Sequence, residues 1–317
     1  MRHPRIMVTG GLGFVGSRVV RMLVEQESAD VIVLDDCSLG VPENLGAALD
    51  RVTVEKADIR DSHSVADVTS RHHPDVVIHL AALHFIPACD AEPKRCVDVN
   101  VGGTQSLLDA CAATPPRAVV LASTAAVYAP DEAAHGDDSA VGPIDVYGLS
   151  KRWSEQLGEL FHNKSGIPVA IARLFNVFGP GETNSHLIPA VIRQAATSRE
   201  LRLGNLTTKR DYVYVDDVAR GLAALAEAAP EHGWLSCNLG REQAVDGFAL
   251  VSTIADLMDT ELAITTDPAR MRPSDRPVLL SDCTRAHSLL GWSAGTSLAD
   301  GLREAIAQPT AAGVVVD

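Results

Sequence analysis

The chain has 317 residues, of which 46% are hydrophobic and 21% charged, and its formal net charge is −14 at pH 7. These proportions are those of a globular protein, and the length suffices for one large domain or for two that share a cleft. The acidic balance argues against non-specific binding to nucleic acid and to anionic membranes. An anionic substrate would therefore have to be held by a few individual arginines.

The cysteine pattern bears on the compartment of the protein. Six cysteines occur, without a C-x-x-C pair or a spacing typical of a zinc site. In a chain of this length they are expected to be reduced thiols of a cytosolic protein. The first apolar run is too short for a signal peptide, and no stretch approaches the roughly 20 apolar residues of a membrane span. We therefore predict a cytoplasmic protein without a metal site.

A glycine-rich turn at residues 9–16, Thr-Gly-Gly-Leu-Gly-Phe-Val-Gly, lies between the first apolar run and a helical pattern. A strand that passes through glycines into a helix leaves free N–H groups at the helix N-terminus, which bind phosphate groups. Gly10 permits the tight turn, Gly13 allows close approach of the phosphates, and Gly16 lets helix and strand pack closely. A surface turn without function is the alternative.

An acidic residue after the second apolar run supports a dinucleotide site. The run at 31–34 is followed by Asp35, about 20 residues beyond the glycines, where an acid holds the adenosine ribose hydroxyls. No arginine directly follows Asp35. The pattern therefore favours NAD over NADP, since an acid repels a 2′-phosphate.

Apolar runs alternate with helical patterns along the first half of the chain. The runs lie at 6–8, 31–34, 52–55, 76–80, 118–122 and 169–173, and the helical patterns lie at 13–26, 61–72, 98–113 and 146–165. Continuous runs rich in β-branched residues are typical of strands covered on both faces. The alternation predicts an α/β fold with a doubly wound parallel sheet, whose ligands bind beyond the C-terminal strand ends.

The residues just after the third and fourth strands are therefore candidates for a site. Asp58 could contact an adenine amino group while Ile59 packs on its ring, or Asp61 could cap a helix with Asp58 in a loop. The small residues Ala81 and Ala82 in the segment His-Leu-Ala-Ala at 79–82 allow the backbone to run close to a cofactor. His79 lies within an apolar strand and is interpreted as a core histidine.

Hydroxyl and amine side chains follow the fifth strand. Ser123 and Thr124 end that strand, and about 25 residues later Tyr147 and Lys151 lie four apart, so that they share one face of a helix. A tyrosine–lysine pair by itself would more often be structural. Its position behind a glycine turn, an acid and a hydroxyl pair indicates chemistry.

From about residue 174 the alternation loosens into a smaller region. A turn-rich loop at 175–181 precedes a helix at 186–194, a strand from residue 210 leads into a capped helix at 217–228, and a proline-bounded loop at 271–275 precedes a helix at 297–307. We predict a dinucleotide-binding domain at 1–175 with returning elements near 210–240. The substrate-binding domain would comprise 176–209 and 241–308, followed by a loose tail at 309–317.

Ten motifs recur together along the chain: TGGLGFVG at 9–16, LDD at 34–36, ADIRD at 57–61, HLAA at 79–82, VNVGGT at 99–104, STAAVY at 123–128, YGLSK at 147–151, RLFNVFGP at 173–180, RDYVYVDDVA at 210–219 and RPSD at 272–275. In this combination the chain resembles the extended short-chain dehydrogenase/reductase family, in particular nucleotide-sugar epimerases and dehydratases of the UDP-glucose 4-epimerase type. The resemblance runs over residues 4–306.

The resemblance implies an NAD-dependent nucleotide-sugar 4-epimerase. Tyr147 would be the acid/base, Thr124 would share the proton of the reacting hydroxyl, and Lys151 would hold the nicotinamide ribose. The Lys151 ammonium and the positive nicotinamide ring would lower the pKa of Tyr147 from about 10 towards working pH. The sugar would pass through a 4-keto form and be reduced on its other face, which regenerates the cofactor.

The resemblance also implies which residues line the site. Cofactor contacts are expected from Gly10, Gly13, Phe14, Val15, Asp35, Asp36, Asp58, Ile59, Leu80, Ala81, Ala82, Asn100, Ser123, Tyr147, Lys151 and Phe175, with Asn100 also supporting the active-site helix. Contacts with the nucleotide-diphosphate sugar are expected from His84, Thr124, Tyr147, Asn176, His186, Leu187, Arg210, Arg272 and Asp275. Arginines suit the diphosphate because their geometry is bidentate.

Departures from the family pattern narrow the reaction. The 4,6-dehydratases carry an Asp-Glu pair where this chain has Ala125 and Ala126, so that no base for C5 is evident. The 3,5-epimerase/4-reductases carry a cysteine at the position of Ala126. Their Asn-Ser-His-Val-Ile-Pro segment nevertheless resembles residues 184–189. We interpret His186 as a sugar or phosphate contact, with a helix terminus or an acid as alternatives.

Three further positions depart from the family pattern. Ala129 and Ser274 each replace a usual glycine, which indicates an altered substrate pocket. His84 stands where the 4-epimerases often have lysine near the cofactor, and the loss of that charge has no explanation in the sequence. Two other functions stay open. One is a nucleotide-4-ketosugar reductase or another sugar-modifying member that consumes NAD(P)H. The other is a non-catalytic NAD-binding sensor, which would ordinarily lack the tyrosine or the lysine.

A homodimer is also implied by the resemblance, through a four-helix bundle of the helices near 98–113 and 146–165. Apolar residues in these helices suit such an interface: Leu107, Leu108, Ala110, Leu157 and Leu160. Packing within one chain would use the same residues. No nucleic-acid or membrane partner is expected.

Overall fold

The computed structural model describes residues 3–271 and 275–308. In chain order its strands are β1 (Arg5–Thr9), β2 (Asp30–Asp35), β3 (Thr53–Lys56), β4 (Val76–His79), β5 (Ala118–Thr124), β6 (Val169–Leu174), β7 (Asn176–Phe178), β8 (Glu200–Leu203), β9 (Lys209–Tyr214), β10 (Trp234–Leu239), β11 (Ala244–Asp246), β12 (Ala263–Thr266) and β13 (Val278–Leu279). Seven of them form a parallel sheet in the order β10-β6-β5-β4-β1-β2-β3. The order reverses between β1 and β4, and a crevice is expected there.

Helices cover both faces of this sheet. They are α1 (Phe14–Glu25), α2 (Ser62–His72), α3 (Ile86–Ala91), α4 (Pro93–Val97), α5 (Gly103–Ala113), α6 (Val146–Ser165), α7 (Leu187–Ala195), α8 (Val215–His232), α9 (Gly247–Leu257), α10 (Thr284–Leu290) and α11 (Leu298–Ala307). Ile6 and Val8 of β1 pack in one core with α1 and α8, whereas Met7 packs in the opposite core with α2 and α5. The predicted doubly wound α/β fold is therefore confirmed.

A third core lies beyond the large sheet. Apolar residues of α7, β8, β9, α9 and α11 form it, among them Val191, Leu201, Tyr214, Leu250 and Leu302. In the same region β9 pairs with β7, β11 and β13. The boundaries of a separate substrate-binding domain at 176–209 and 241–308 stay a prediction.

The predicted elements of the first half are confirmed within a few residues, with two corrections along the chain. The helix expected at 98–113 begins with a π-helical turn over Asp98–Gly102. The helix expected from residue 217 begins at Val215, and its N-cap residue makes no capping hydrogen bond through its side chain. The buried carboxylate of Asp217 instead accepts hydrogen bonds from the backbone N–H groups of residues 295 and 296. Local charge near a helix start suggested a cap, but tertiary contacts use that carboxylate.

Some predictions lie outside the described residues. They concern Arg272, Ser274 and the tail at 309–317. Among the helices of the described ranges, none is both long enough and apolar enough to span a lipid bilayer.

Candidate active site

A cavity of about 1060 Å³ lies at the C-terminal ends of the parallel strands. Residues that follow β1 to β6 line one side of it. Residues from the loop before α7, residues 269–271 and residues 275 and 276 line the other. The cavity is lined by every predicted contact residue in the described ranges except Asn100. The structure thus brings together side chains spread over more than 260 positions of the chain, from Gly10 to Asp275.

The glycine-rich turn forms a close-packed cradle at one end of the cavity. Gly10 has a φ of +69°, and a Cβ added there would lie 2.7 Å from the backbone nitrogen of Ala81. A Cβ on Gly16 would lie 2.1 Å from the carbonyl oxygen of Gly10. Helix α1 has neither a side-chain cap nor an acidic residue in its first turn. Its free N–H groups therefore offer a site for an anion, as the pyrophosphate of a dinucleotide requires.

Asp35 is held rigidly at the end of β2. Its carboxylate accepts hydrogen bonds from the backbone N–H groups of Leu12, at 3.0 Å, and of Cys37, at 2.9 Å. Burial raises the pKa of this carboxyl group, and the two hydrogen bonds oppose that rise. Because carboxylate oxygens have further lone pairs, Asp35 can still accept from a ribose hydroxyl.

Two interpretations of the segment after β3 were open, a ligand contact and a helix cap, and the structure is consistent with each of them at a different residue. Asp61 caps α2 by accepting from the backbone N–H groups of residues 63 and 64. Asp58 and Ile59 line the cavity, and the guanidinium of Arg60 donates to the Asp58 carboxylate at 3.0 Å and lowers its pKa. The helix cap at Asp61 and the position of Asp58 on the cavity wall therefore coexist.

The candidate acid/base residues meet where β5 and α6 approach. Thr124 ends β5, and Asp145 starts α6 by accepting a 2.7 Å hydrogen bond from the backbone N–H of Gly148. Tyr147 and Lys151 follow on the helix face that lines the cavity. The ammonium of Lys151 donates to the carbonyl oxygen of Ala122 at 2.9 Å, and burial lowers its pKa to about 8.

Burial dominates the electrostatics of Tyr147 in the protein without a cofactor. We expected Lys151 and the nicotinamide ring to lower the pKa of the phenol. In the protein by itself, burial raises the pKa of Tyr147 far above its ordinary value, and a hydrogen bond with Thr124 only partly offsets this. Burial has this effect because the phenolate loses its hydration shell.

Asn100 is the predicted cofactor contact that the structure corrects. It is 1% exposed and does not line the cavity. Its side-chain oxygen accepts from the backbone N–H of Leu83 at 2.8 Å, and its amide nitrogen donates to the hydroxyl of Ser150 at 2.9 Å. It therefore joins the loop after β4 to α6, and its side chain is engaged by protein partners outside the cavity lining.

His79 is a core histidine, as predicted. Its ring nitrogens bond the hydroxyls of Thr9 at 2.7 Å and Thr104 at 3.1 Å, and burial lowers its pKa to about 3. The ring stays neutral and links β1, β4 and α5 beneath the cavity.

Two histidines line the cavity where the loop after β4 meets the loop before α7. His84 Nε2 lies 2.7 Å from the side-chain nitrogen of Asn184, and burial lowers the pKa of His84 to about 4. His186 bonds the buried carboxylate of Glu182 through Nδ1, and its ring lies 5.4 Å from that of Phe85. His186 is also the N-cap residue of α7. Two of its predicted roles, a helix terminus and a cavity contact, are thus compatible.

At the far end of the cavity, Arg210 forms an ion pair with Asp275. The side-chain oxygen of Asn176 is buried, with no hydrogen-bond partner among the described residues. The methyl groups of Ala125 and Ala126 line the wall beside Thr124. No carboxylate replaces the Asp-Glu pair of the dehydratases at those positions.

Sequence reasoning missed four residues that contribute to this region: Asp145, Glu182, Asn184 and Arg276. Asp145 had a local signal, since an aspartate three residues before a helical glycine is typical of an N-cap. Arg276 directly follows the recognised segment 272–275. The partners of Asn184 and Arg276 lie 100 or more positions away in the sequence, so no local pattern reveals these two residues.

Comparison with known proteins adds context to this geometry. The family model described as "NAD dependent epimerase/dehydratase family" matches residues 6–240. The UDP-glucose 4-epimerase of Azospirillum brasilense is 31% identical over 319 residues, covering 94% of this chain and 90% of that protein.

Solved structures give the same picture. UDP-N-acetylglucosamine 4-epimerase from Methanobrevibacter ruminantium M1, in complex with UDP-N-acetylmuramic acid, has a TM-score of 0.87 at 27% identity, covering 97% of this chain and 98% of that one. UDP-glucose 4-epimerase from Brucella ovis, in complex with NAD, has a TM-score of 0.86 at 28% identity, with 96% and 98% covered.

Proposed function

The chain belongs to the NAD dependent epimerase/dehydratase family, and on that premise we propose that it is a nucleotide-sugar 4-epimerase that uses NAD. The observation that carries the proposal is the arrangement of Thr124, Tyr147 and Lys151 in one cavity with the glycine cradle. The alanine methyl groups beside Thr124 distinguish this arrangement from that of a dehydratase, which needs a base there.

The residues present fit NAD. The N-terminus of α1 suits the pyrophosphate, Asp35 suits the adenosine ribose, and Lys151 lies where it can hold the nicotinamide ribose. The cradle has no room for side chains at Gly10 and Gly16, as expected where a ligand and two backbone segments meet. NAD, when bound, supplies the acceptor and donor of the hydride exchanged with C4 of the sugar.

The proton chemistry belongs to the chain itself. Tyr147, as phenolate, takes the proton of the C4 hydroxyl and returns it when the 4-keto sugar is reduced on its other face. Thr124 bonds the same hydroxyl and shares the proton. Since burial alone raises the pKa of Tyr147, the positive charges of Lys151 and of the oxidised nicotinamide must stabilise the phenolate in the working enzyme.

The substrate end would hold a nucleoside diphosphate. The Brucella relative was crystallised with NAD, and the Methanobrevibacter relative with a uridine-diphosphate sugar acid. In this chain Arg210, Asn176 and Asp275 offer a cation and polar groups for such a ligand. We propose that residues 176–209 and 241–308, together with Arg210 on β9, supply these contacts.

The test is incubation of the purified protein, without added cofactor, with a panel of UDP-, dTDP-, GDP- and CDP-sugars, followed by NMR of the products. Formation of a C4 epimer at equilibrium is expected and would identify the substrate. Conversion of a 4-keto sugar only when NADH or NADPH is supplied would replace the proposal with the reductase. If neither experiment yields a product while NAD stays bound, the non-catalytic NAD-binding sensor would be favoured.

We also propose a homodimer that forms through α6. Leu107, Leu108 and Ala110 are buried within the chain, so the predicted contribution of these three residues to a dimer is not supported. Trp153 and Leu160, by contrast, are 41% and 53% exposed, and their spacing of seven places them on one face of the helix.

The dimer is tested by sedimentation of the protein and of Trp153→Glu. The wild type is expected to sediment as a dimer and the variant as a monomer. Equal sedimentation of the two as dimers would exclude this face, and a monomeric wild type would exclude the dimer.

A further inference from the structure

Arg276 is a buried cation that no recognised motif contains. It is 6% exposed and lies on the wall of the cavity. One guanidinium nitrogen donates to the carbonyl oxygen of Ala126 at 2.7 Å, and the other lies 3.4 Å from the carboxylate of Asp145. These partners lie 150 and 131 positions away along the chain.

Both partners of Arg276 belong to the acid/base apparatus. The backbone N–H of Ala126 donates to the hydroxyl of Thr124 at 3.1 Å. Asp145 caps α6 two residues before Tyr147. Arg276 therefore joins the turn that carries Thr124 to the start of the helix that carries Tyr147 and Lys151.

Charge around the phenol gives this link a chemical consequence. The groups that face Tyr147 are the Thr124 hydroxyl on β5, the thiols of Cys89 and Cys96, and Asp145 at the start of its own helix. Lys151 lies one turn further along that helix and interacts with the same two thiols. A carboxylate at Asp145 disfavours the phenolate and raises the pKa of Tyr147. The guanidinium of Arg276 is the cation that bonds this carboxylate.

The other side of Arg276 faces the substrate end. Its backbone N–H donates to the carboxylate of Asp275 at 3.0 Å, and that carboxylate pairs with Arg210. Two adjacent residues thus contact different groups of the cavity wall, Asp275 at the candidate diphosphate site and Arg276 at the acid/base.

We propose that Arg276 is a positioning residue for Tyr147: it fixes the turn after Thr124 and the cap of α6, and it neutralises Asp145 beside the phenol. The inference rests on the proposed function, because it takes Tyr147 as the acid/base. It adds a charge relation that the motif residues Thr124, Tyr147 and Lys151 do not contain by themselves.

The first measurement is the pH dependence of kcat for Arg276→Gln, Asp145→Asn and the double variant. Arg276→Gln leaves the carboxylate unpaired, so the acidic limb of kcat should move to higher pH and kcat should fall about 10- to 100-fold. Asp145→Asn keeps the cap, since asparagine also caps helices, and should move the limb to lower pH. The double variant should lie between the two.

Two further variants separate charge from damage to the fold. Arg276→Lys restores the positive charge without the two-pronged geometry, so the limb should return towards the wild-type pH while kcat stays reduced. Arg220→Gln is the matched control, because Arg220 pairs with buried Asp217 and neither residue lines the cavity. It should not move the limb. A wild-type limb in Arg276→Gln, or equal shifts in Arg276→Gln and Arg220→Gln, would overturn the proposal.

A second readout does not need turnover. Ultraviolet titration of the NAD-bound protein, taken as the difference from Tyr147→Phe, reports the phenolate of Tyr147 directly. Its midpoint should rise in Arg276→Gln and fall in Asp145→Asn. If the wild type converts no sugar but these shifts occur, the proposed function fails and the role of Arg276 stands. If the wild type turns over and neither shift occurs, the role of Arg276 fails by itself.

Discussion

The two ends of the cavity are built by different physical means. The cofactor end consists of strand ends and a glycine turn, and its dimensions are set by contacts between backbone segments, as at Gly10 and Ala81. The substrate end is held by side-chain pairs between separate segments, such as His84 with Asn184 and Arg210 of β9 with Asp275. One end tolerates almost no added volume, whereas the other depends on charge and hydrogen bonding.

This difference predicts different responses to mutation. A change at the cofactor end should act through steric clash and remove both cofactor and stability. A change at the substrate end should weaken one ligand contact and leave the fold and the cofactor in place. The predictions below test this contrast, beginning with the largest expected effect.

Gly16→Ala should abolish NAD binding and destabilise the protein by about 3 kcal/mol or more, because its Cβ would lie 2.1 Å from the carbonyl oxygen of Gly10. NAD content after purification and thermal unfolding measure the two effects. Gly102→Ala is the control, since a Cβ there meets no described atom within 4 Å. Retention of NAD and of wild-type stability by Gly16→Ala would show that backbone packing does not define the cofactor end.

Tyr147→Phe should lower turnover by about 100- to 10,000-fold and leave NAD bound, since the substitution removes the proton carrier and no cradle atom. Tyr214→Phe removes a hydroxyl that bonds Glu304 away from the cavity and serves as the control. Steady-state turnover and bound NAD are measured for both. Substantial activity in Tyr147→Phe would refute the acid/base assignment.

Arg210→Gln should raise KM for the nucleotide sugar by about 10- to 100-fold. This change corresponds to the usual free energy of one charge-assisted hydrogen bond. NAD content and stability should stay at wild-type levels. Arg202→Gln, on the exposed side of β8, is the matched loss of charge outside the cavity. If Arg210→Gln instead loses NAD, the two ends are not separable and the contrast fails.

His79→Gln should reduce the acid sensitivity of folding. The folded pKa of His79 is lowered to about 3, so the unfolded chain binds the extra proton as pH falls through about 6.5. The contribution of neutral His79 to stability is therefore fully present above that pH and is lost below it. Between about pH 7 and about pH 5.5 this histidine should lower the free energy of unfolding by about 1 kcal/mol.

Urea unfolding of His79→Gln and wild type at the two pH values measures this loss. The comparison with the variant is necessary because burial raises the pKa of Asp137 to about 6, and that group responds in the opposite sense. An identical pH dependence in the two proteins would mean that His79 is not held neutral in the core.

The sequence by itself determined the cofactor end. The residues at 9–16, Asp35 and the runs at the strands act locally, because a turn, a helix start and a buried strand each follow from neighbouring residues. The same holds for the shared helix face of Tyr147 and Lys151. These predictions agree with the structure apart from Asn100, whose position depends on contacts with residues 83 and 150.

Only the tertiary structure decided how the substrate end and the charge around the phenol are arranged. The pairing of His186 with Glu182 was open to a local guess, but that of Arg276 with Asp145 was not, because 131 positions separate the partners. The burial that raises the pKa of Tyr147 is likewise a property of the assembled cavity. Desolvation and long-range pairing arise only when distant segments meet, so no local pattern encodes them.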